Sequence, residues 1–182
     1  MKKSALPCTG NQEWNTPARI IEAARRAMGG FDCDPASNDD AQQTVQASVY
    51  YTRERSGLGA PWLGRIWLNP PYSSKLLTAF IRAFFREYLS GRVLQACILI
   101  NNNTDTAGCQ ALLRTADSVC FVKGRLRFGG RSAGQPLQGQ IVFYYGNERA
   151  RFLDAFRSIG VCMEPINVPE MDLFRLEESV HE

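Results

Sequence analysis

The run VLQACILI, Val93 to Ile100, has a single polar member, Gln95. A strand with one solvated face would alternate apolar and polar residues. Near-continuous apolarity over eight positions instead marks a strand covered on both faces, the usual condition inside a parallel sheet with helices above and below. The flanking sequence supplies those helices. Upstream, Leu76, Leu77, Phe80, Ile81, Phe84, Phe85, Tyr88 and Leu89 recur at helical spacing until Gly91 stops them. Downstream, TDTAGCQALLRTA (104–116) reads as a helix and SVCFV (118–122) as the next strand.

Working outward, RIWLN (65–69) reads as a strand running into two prolines, and FDCDPAS (31–37) as a short strand ending in acids and a proline. NTPARIIEAARRAMGG predicts a helix over 17–28, with Thr16 as cap, Pro17 at the first helical position and two glycines as the stop. Residues 38–61 are polar and rich in turn formers. GRLRF (124–128) reads as a short strand, 129–139 as a mobile loop, QIVFYY (140–145) as a strand, 147–159 as a helix and VCMEPINV (161–168) as a final short strand. Strands alternating with helices imply an α/β fold, a three-layer αβα sandwich with right-handed crossovers. Ligands of such sheets bind beyond the carboxyl ends of the strands, so FDCDPAS and NPPY should face one crevice.

The chain has 182 residues, 45% hydrophobic and 21% charged, which suits one domain with a proper core. That core is expected over about 13–167, with flexible ends at 1–12 and 168–182. No apolar run approaches the roughly 18 residues of a membrane span, and the N-terminus lacks the apolar stretch of a secretory signal. A cytoplasmic location, without a membrane partner, is the expectation. Six cysteines are scattered with no C-x-x-C pair, the pattern of reduced thiols and not of disulfides or zinc. No metal is expected. The single histidine, His181, lies in a charged tail, so triad hydrolysis and two-histidine metal sites lack their parts. The formal charge of +3 permits a polyanionic partner without requiring one.

Asn-Pro-Pro-Tyr, residues 69–72, cannot continue a central strand, because proline donates no ladder hydrogen bond. At a strand end, the Asn69 amide oxygen and the Pro70 carbonyl would form a rigid pair of acceptors for both hydrogens of a planar amine. Pro71 stiffens the turn, and the Tyr72 ring would stack on the heterocycle bearing the amine. Such an amine is a poor nucleophile. Acceptors that draw it toward tetrahedral geometry lower the barrier to attack on a methyl group. A plain surface turn is the competing reading.

The ordered set EWNTP, FDCDPAS, GLGAPWLGRIWLNPPYS, ILINNNTDT and GRLRF, over about 13–146, resembles the adenine-specific DNA methyltransferases of phages and prophages, the phage Dam-type family. The resemblance implies S-adenosyl-L-methionine (AdoMet) as cofactor, DNA as partner, the exocyclic amine of adenine as acceptor, and a Rossmann-like methyltransferase core. Carried over by position, Asn69, Pro70, Pro71 and Tyr72 match the catalytic motif. Asp32, Asp34 and Pro35 match the acidic strand-end motif near the cofactor, and Trp14, Thr16 and Pro17 the segment before it that contacts the methionine part. A solvated turn remains the alternative for the two acids.

Two departures stand out. DPASND lacks the glycine-rich turn common in such cofactor loops, and only residues 35–68 separate Asp34 from Asn69, so the sheet is expected to be abbreviated. Lys123, Arg125, Arg127 and Arg131 are the densest candidates for DNA contact, with a solvated hairpin of ordinary surface charge as the alternative; YYTRER (50–55) is a weaker second patch. Asn101 and Asp105 could line the crevice, or Thr104 could simply cap a helix. RNA or a protein glutamine amide as acceptor, and a non-catalytic nucleic-acid-binding protein, are the other functional readings left open.

Overall fold

A computed structural model describes residues 15–129 and 138–165. Seven strands form one sheet: β1 (Cys33–Asp34), β2 (Val49–Tyr50), β3 (Gly64–Leu68), β4 (Val93–Asn101), β5 (Ser118–Val122), β6 (Gln140–Tyr145) and β7 (Gly160–Met163). Their order across the sheet is β2-β1-β3-β4-β6-β5-β7. The helices are α1 (Ala18–Met28), α2 (Asp39–Val45), α3 (Ser74–Leu89), α4 (Ala107–Thr115) and α5 (Arg149–Phe156).

The apolar run of β4 is explained by two cores. Cys97 and Leu99 pack toward α1 and α5, while Ala96, Ile98 and Ile100 pack toward α3 and α4. Each fully buried side chain of this kind contributes about 1.5–3 kcal/mol of transfer free energy, so both faces had to be apolar. The expected parallel sheet is corrected in one respect. β4 pairs parallel with β3 but antiparallel with β6, which itself pairs antiparallel with β5. Burial of both faces depends on the covering layers and is indifferent to the direction of a neighbouring strand.

Other expectations shift. The helix α1 starts one residue late, with Pro17 at the cap position and no side-chain cap bond, so Thr16 is free for another role. The stretch 38–61 holds α2, β2 and a single helical turn at Gly57–Gly59. The abbreviation falls on strand length, since β1 and β2 have two residues each. Residues 124–128 form no strand; they lead to Gly129, which bridges Asn15. The loop expected at 129–139 lies mostly outside the described residues.

Gly64 opens β3 in the left-handed region at φ 77°, where a Cβ would run into the Asp32 carboxylate. Gly64→Ala is therefore expected to destabilise the chain by about 1–3 kcal/mol. A urea titration should show a lower midpoint at an unchanged slope; an unchanged midpoint would contradict this reading of how the strand begins.

Candidate active site

The carboxyl ends of β1, β3 and β4 and the start of the antiparallel β6 share one edge of the sheet. A cleft of about 350 Å³ opens there, faced by Thr16, Asp34, Asn38, Asn69, Pro71 and Phe80. FDCDPAS and NPPY do face the same crevice. Its volume is within the range of small-molecule sites, and its walls mix an apolar side with a few convergent polar groups.

Asp34 terminates β1 and is 2% exposed. Its Oδ1 accepts the Ala36 N–H at 3.2 Å and its Oδ2 accepts from the Gln42 amide at 2.9 Å. Burial pushes its carboxyl up to about 7, against the opposing pull of the Ser37, Ala36 and Gln42 donors. A carboxylate held at this balance gains most from a cation or hydroxyl donor arriving in the cleft. The backbone around it is fixed by α2. Asn38 caps that helix by accepting the Ala41 N–H at 2.8 Å, and its amide donates to Asn15 Oδ1 at 3.1 Å.

Asn69 follows β3, whose ladder is interrupted by the two prolines. Its Nδ2 donates to Thr16 Oγ1 at 3.1 Å, so the residue expected to cap α1 instead orients the Asn69 amide. Thr16 is 8% exposed. With Nδ2 committed there, Oδ1 accepts from the Tyr72 hydroxyl at 2.8 Å. Burial raises the Tyr72 phenol well above its ordinary range and keeps it a neutral donor. The same hydroxyl lies 3.2 Å from Gln140 Oε1, and the ring meets Phe128 edge-on at 6.3 Å.

Several expected site residues lie elsewhere. Asp32 is absent from the cleft wall. Both its oxygens are taken by Arg65, Oδ2 by Nε at 2.9 Å and Oδ1 by a terminal nitrogen at 2.8 Å, which holds its carboxyl below the usual range. It ties the start of β1 to β3. Pro17 supplies the first helical carbonyl acceptor of α1. Pro35 lines the cleft, whereas Pro70 is buried and is not among the residues facing it. Trp14 and Arg131 lie outside the described residues.

Lys123, Arg125 and Arg127 are exposed while Leu126 and Phe128 are buried, so this stretch turns cations to solvent and leans its apolar side on Tyr72. Arg53, Ser56 and Leu58 also line the cleft. The weaker YYTRER patch contained Arg53 and the run GLGAPWLGRIWLNPPYS contained Leu58, while Ser56 lay in neither.

A layered sheet with a rigid Asn-Pro-Pro-Tyr turn at a strand's carboxyl end, beside a ligand-sized cleft, is the build of a Rossmann-like methyltransferase. The chain belongs to the DNA N-6-adenine-methyltransferase (Dam) family, whose model matches residues 3–149. It is thus an enzyme, an adenine-specific DNA methyltransferase, and the matched region contains every candidate site residue named above. A search of curated proteins finds no match. Among the described residues no helix is long and apolar enough to cross a membrane, and no cluster of acids, cysteines or histidine could hold a metal ion.

Proposed function

We propose that the enzyme uses AdoMet as methyl donor, held in the strand-end cleft, and methylates the exocyclic amine of an adenine brought to Asn69. The observation that carries this reading is the Asn69 amide, whose Oδ1 already holds a donor hydroxyl at 2.8 Å beside the cleft. The cleft suits AdoMet in volume and in chemistry. Thr16, Asp34 and Pro35 would hold it, with Trp14 joining them by the family resemblance; Leu58 and Phe80 give an apolar wall for its flat ring. When bound, AdoMet supplies an electrophilic methyl group on a sulfonium.

The chain's own residues do the rest. Asn69 Oδ1 and the Pro70 carbonyl accept the two amine hydrogens, which draws nitrogen lone-pair density out of the adenine ring and stabilises the positive charge that develops as the methyl group transfers. A paired adenine cannot present its amine in this way, so the base must leave the helix. Tyr72 then stacks on it. The exposed Arg125 and Arg127, next to Tyr72 in space through Phe128, contact phosphates as the base turns in.

Labelled AdoMet offered with duplex DNA, single-stranded RNA and a glutamine peptide tests the acceptor. Label in DNA is expected, and label confined to RNA or peptide would overturn the reading. Replacing Arg125 and Arg127 together with alanine should weaken DNA binding and make the plot of log affinity against log salt shallower by about 2, since each phosphate that a cation neutralises adds about 0.9 to the slope. An unchanged slope would remove this stretch from the DNA surface.

A further inference from the structure

Gln140 opens β6 and is 3% exposed, a polar side chain buried at the active-site edge of the sheet. Its Nε2 donates to Asn101 Oδ1 at 2.6 Å, and the two residues are directly paired across β4 and β6. That bond fixes the amide with Oε1 turned to the Tyr72 hydroxyl, 3.2 Å away. The hydroxyl has one proton and, among the described residues, the carbonyl oxygens Asn69 Oδ1 at 2.8 Å and Gln140 Oε1 in reach. One of the two is the oxygen that the target amine must use.

We propose that Gln140, oriented by Asn101, is a positioning residue for docking of the target base: it takes over the Tyr72 hydroxyl when the adenine amine claims Asn69 Oδ1. This rests on the reading of Asn69 as the amine acceptor. In the free enzyme the shorter bond goes to Asn69. When the base arrives, an N–H of the amine replaces the phenol O–H on Asn69 Oδ1, and the phenol proton swings to Gln140 Oε1. The protein's own hydroxyl keeps a partner throughout. Without Gln140, the phenol keeps its proton on Asn69 Oδ1, which must then accept from phenol and amine together, and docking weakens by about the worth of one buried hydrogen bond.

The test is a double-mutant cycle between Gln140→Leu and Tyr72→Phe, read as kcat/KM for duplex DNA beside AdoMet affinity measured without DNA. Gln140→Leu should lower kcat/KM for DNA about tenfold and leave AdoMet affinity unchanged. In the Tyr72→Phe background, where no hydroxyl needs a second acceptor, the same substitution should cause no further loss. Gln140→Glu keeps an acceptor oxygen for the Tyr72 hydroxyl but loses the donor to Asn101, so it should fall between the leucine variant and the unsubstituted enzyme, which covers the case of a leucine variant that folds poorly. An equal loss in both backgrounds, or no loss in either, would overturn the proposal. DNA left unlabelled by the unsubstituted enzyme would overturn the Asn69 reading first and this one with it, and that control is read before any variant.

Discussion

Asn69→Ala is expected to lower the rate of methyl transfer at saturating DNA and AdoMet by about 10²–10³-fold, the usual cost of removing one preorganised group that stabilises charge in a transition state. The loss should fall on kcat, because the amide acts on charge that develops only as the methyl group moves. AdoMet affinity should change little: Asn69 borders the cleft, but its two hydrogen bonds described above run to Thr16 and Tyr72. Asn69→Asp separates two causes. It keeps an acceptor oxygen for the amine and loses the donor to Thr16, so it should be far more active than the alanine variant if acceptance is what matters. Equal inactivity of the two would shift the role of Asn69 toward holding Thr16 in place. Single-turnover rates with preformed enzyme and AdoMet read this directly.

The second large effect concerns Asp34. Burial lifts its carboxyl to about 7 in the folded chain, against an unfolded value of about 3.9. Between these values the folded state binds more protons than the unfolded one. The protonated Asp34 therefore favours the fold at low pH, and this contribution is lost as pH rises through about 7. A cationic ligand reverses the preference, since it binds the ionised carboxylate. AdoMet affinity is then expected to rise from about pH 5.5 to about pH 8 and to fall by about tenfold for each unit below the Asp34 value, with a proton released on binding below that value. Asp34→Asn should flatten the profile and weaken binding at about pH 8 by about 10- to 100-fold, the worth of a charge-assisted hydrogen bond. Calorimetry in two buffers of different ionisation heat measures both the affinity and the proton. An affinity flat across that range would remove Asp34 from the ammonium or ribose end of the cofactor.

What was legible in the sequence is chemistry confined to one segment. NPPY could be placed at a strand end because prolines cannot join a ladder, and Asp34-Pro35 because the acid precedes a proline at the close of a short strand. What was not legible depends on partners far along the chain. Asp32 and Asp34 look alike in sequence, but Arg65 on the neighbouring strand neutralises one and leaves the other to the cleft. Thr16 satisfies the rule for a helix cap, yet its hydroxyl serves Asn69, 53 positions away. The helix α2 has one buried residue and so no apolar period to find, although Asn38 followed by two aspartates was a usable start signal. Gln140 and Asn101, 39 positions apart, meet only because β6 runs antiparallel to β4.

At the centre stands one reaction, the placing of a methyl group from AdoMet on the exocyclic amine of adenine in DNA. The direct measurement is isotope transfer from methyl-labelled AdoMet to unmethylated duplex DNA, followed by digestion to nucleosides and mass analysis. Label is expected in N6-methyladenine and in no other nucleoside, reduced to near background by Asn69→Ala. Label on cytosine, or DNA that stays unlabelled while AdoMet binds the cleft, would contradict it.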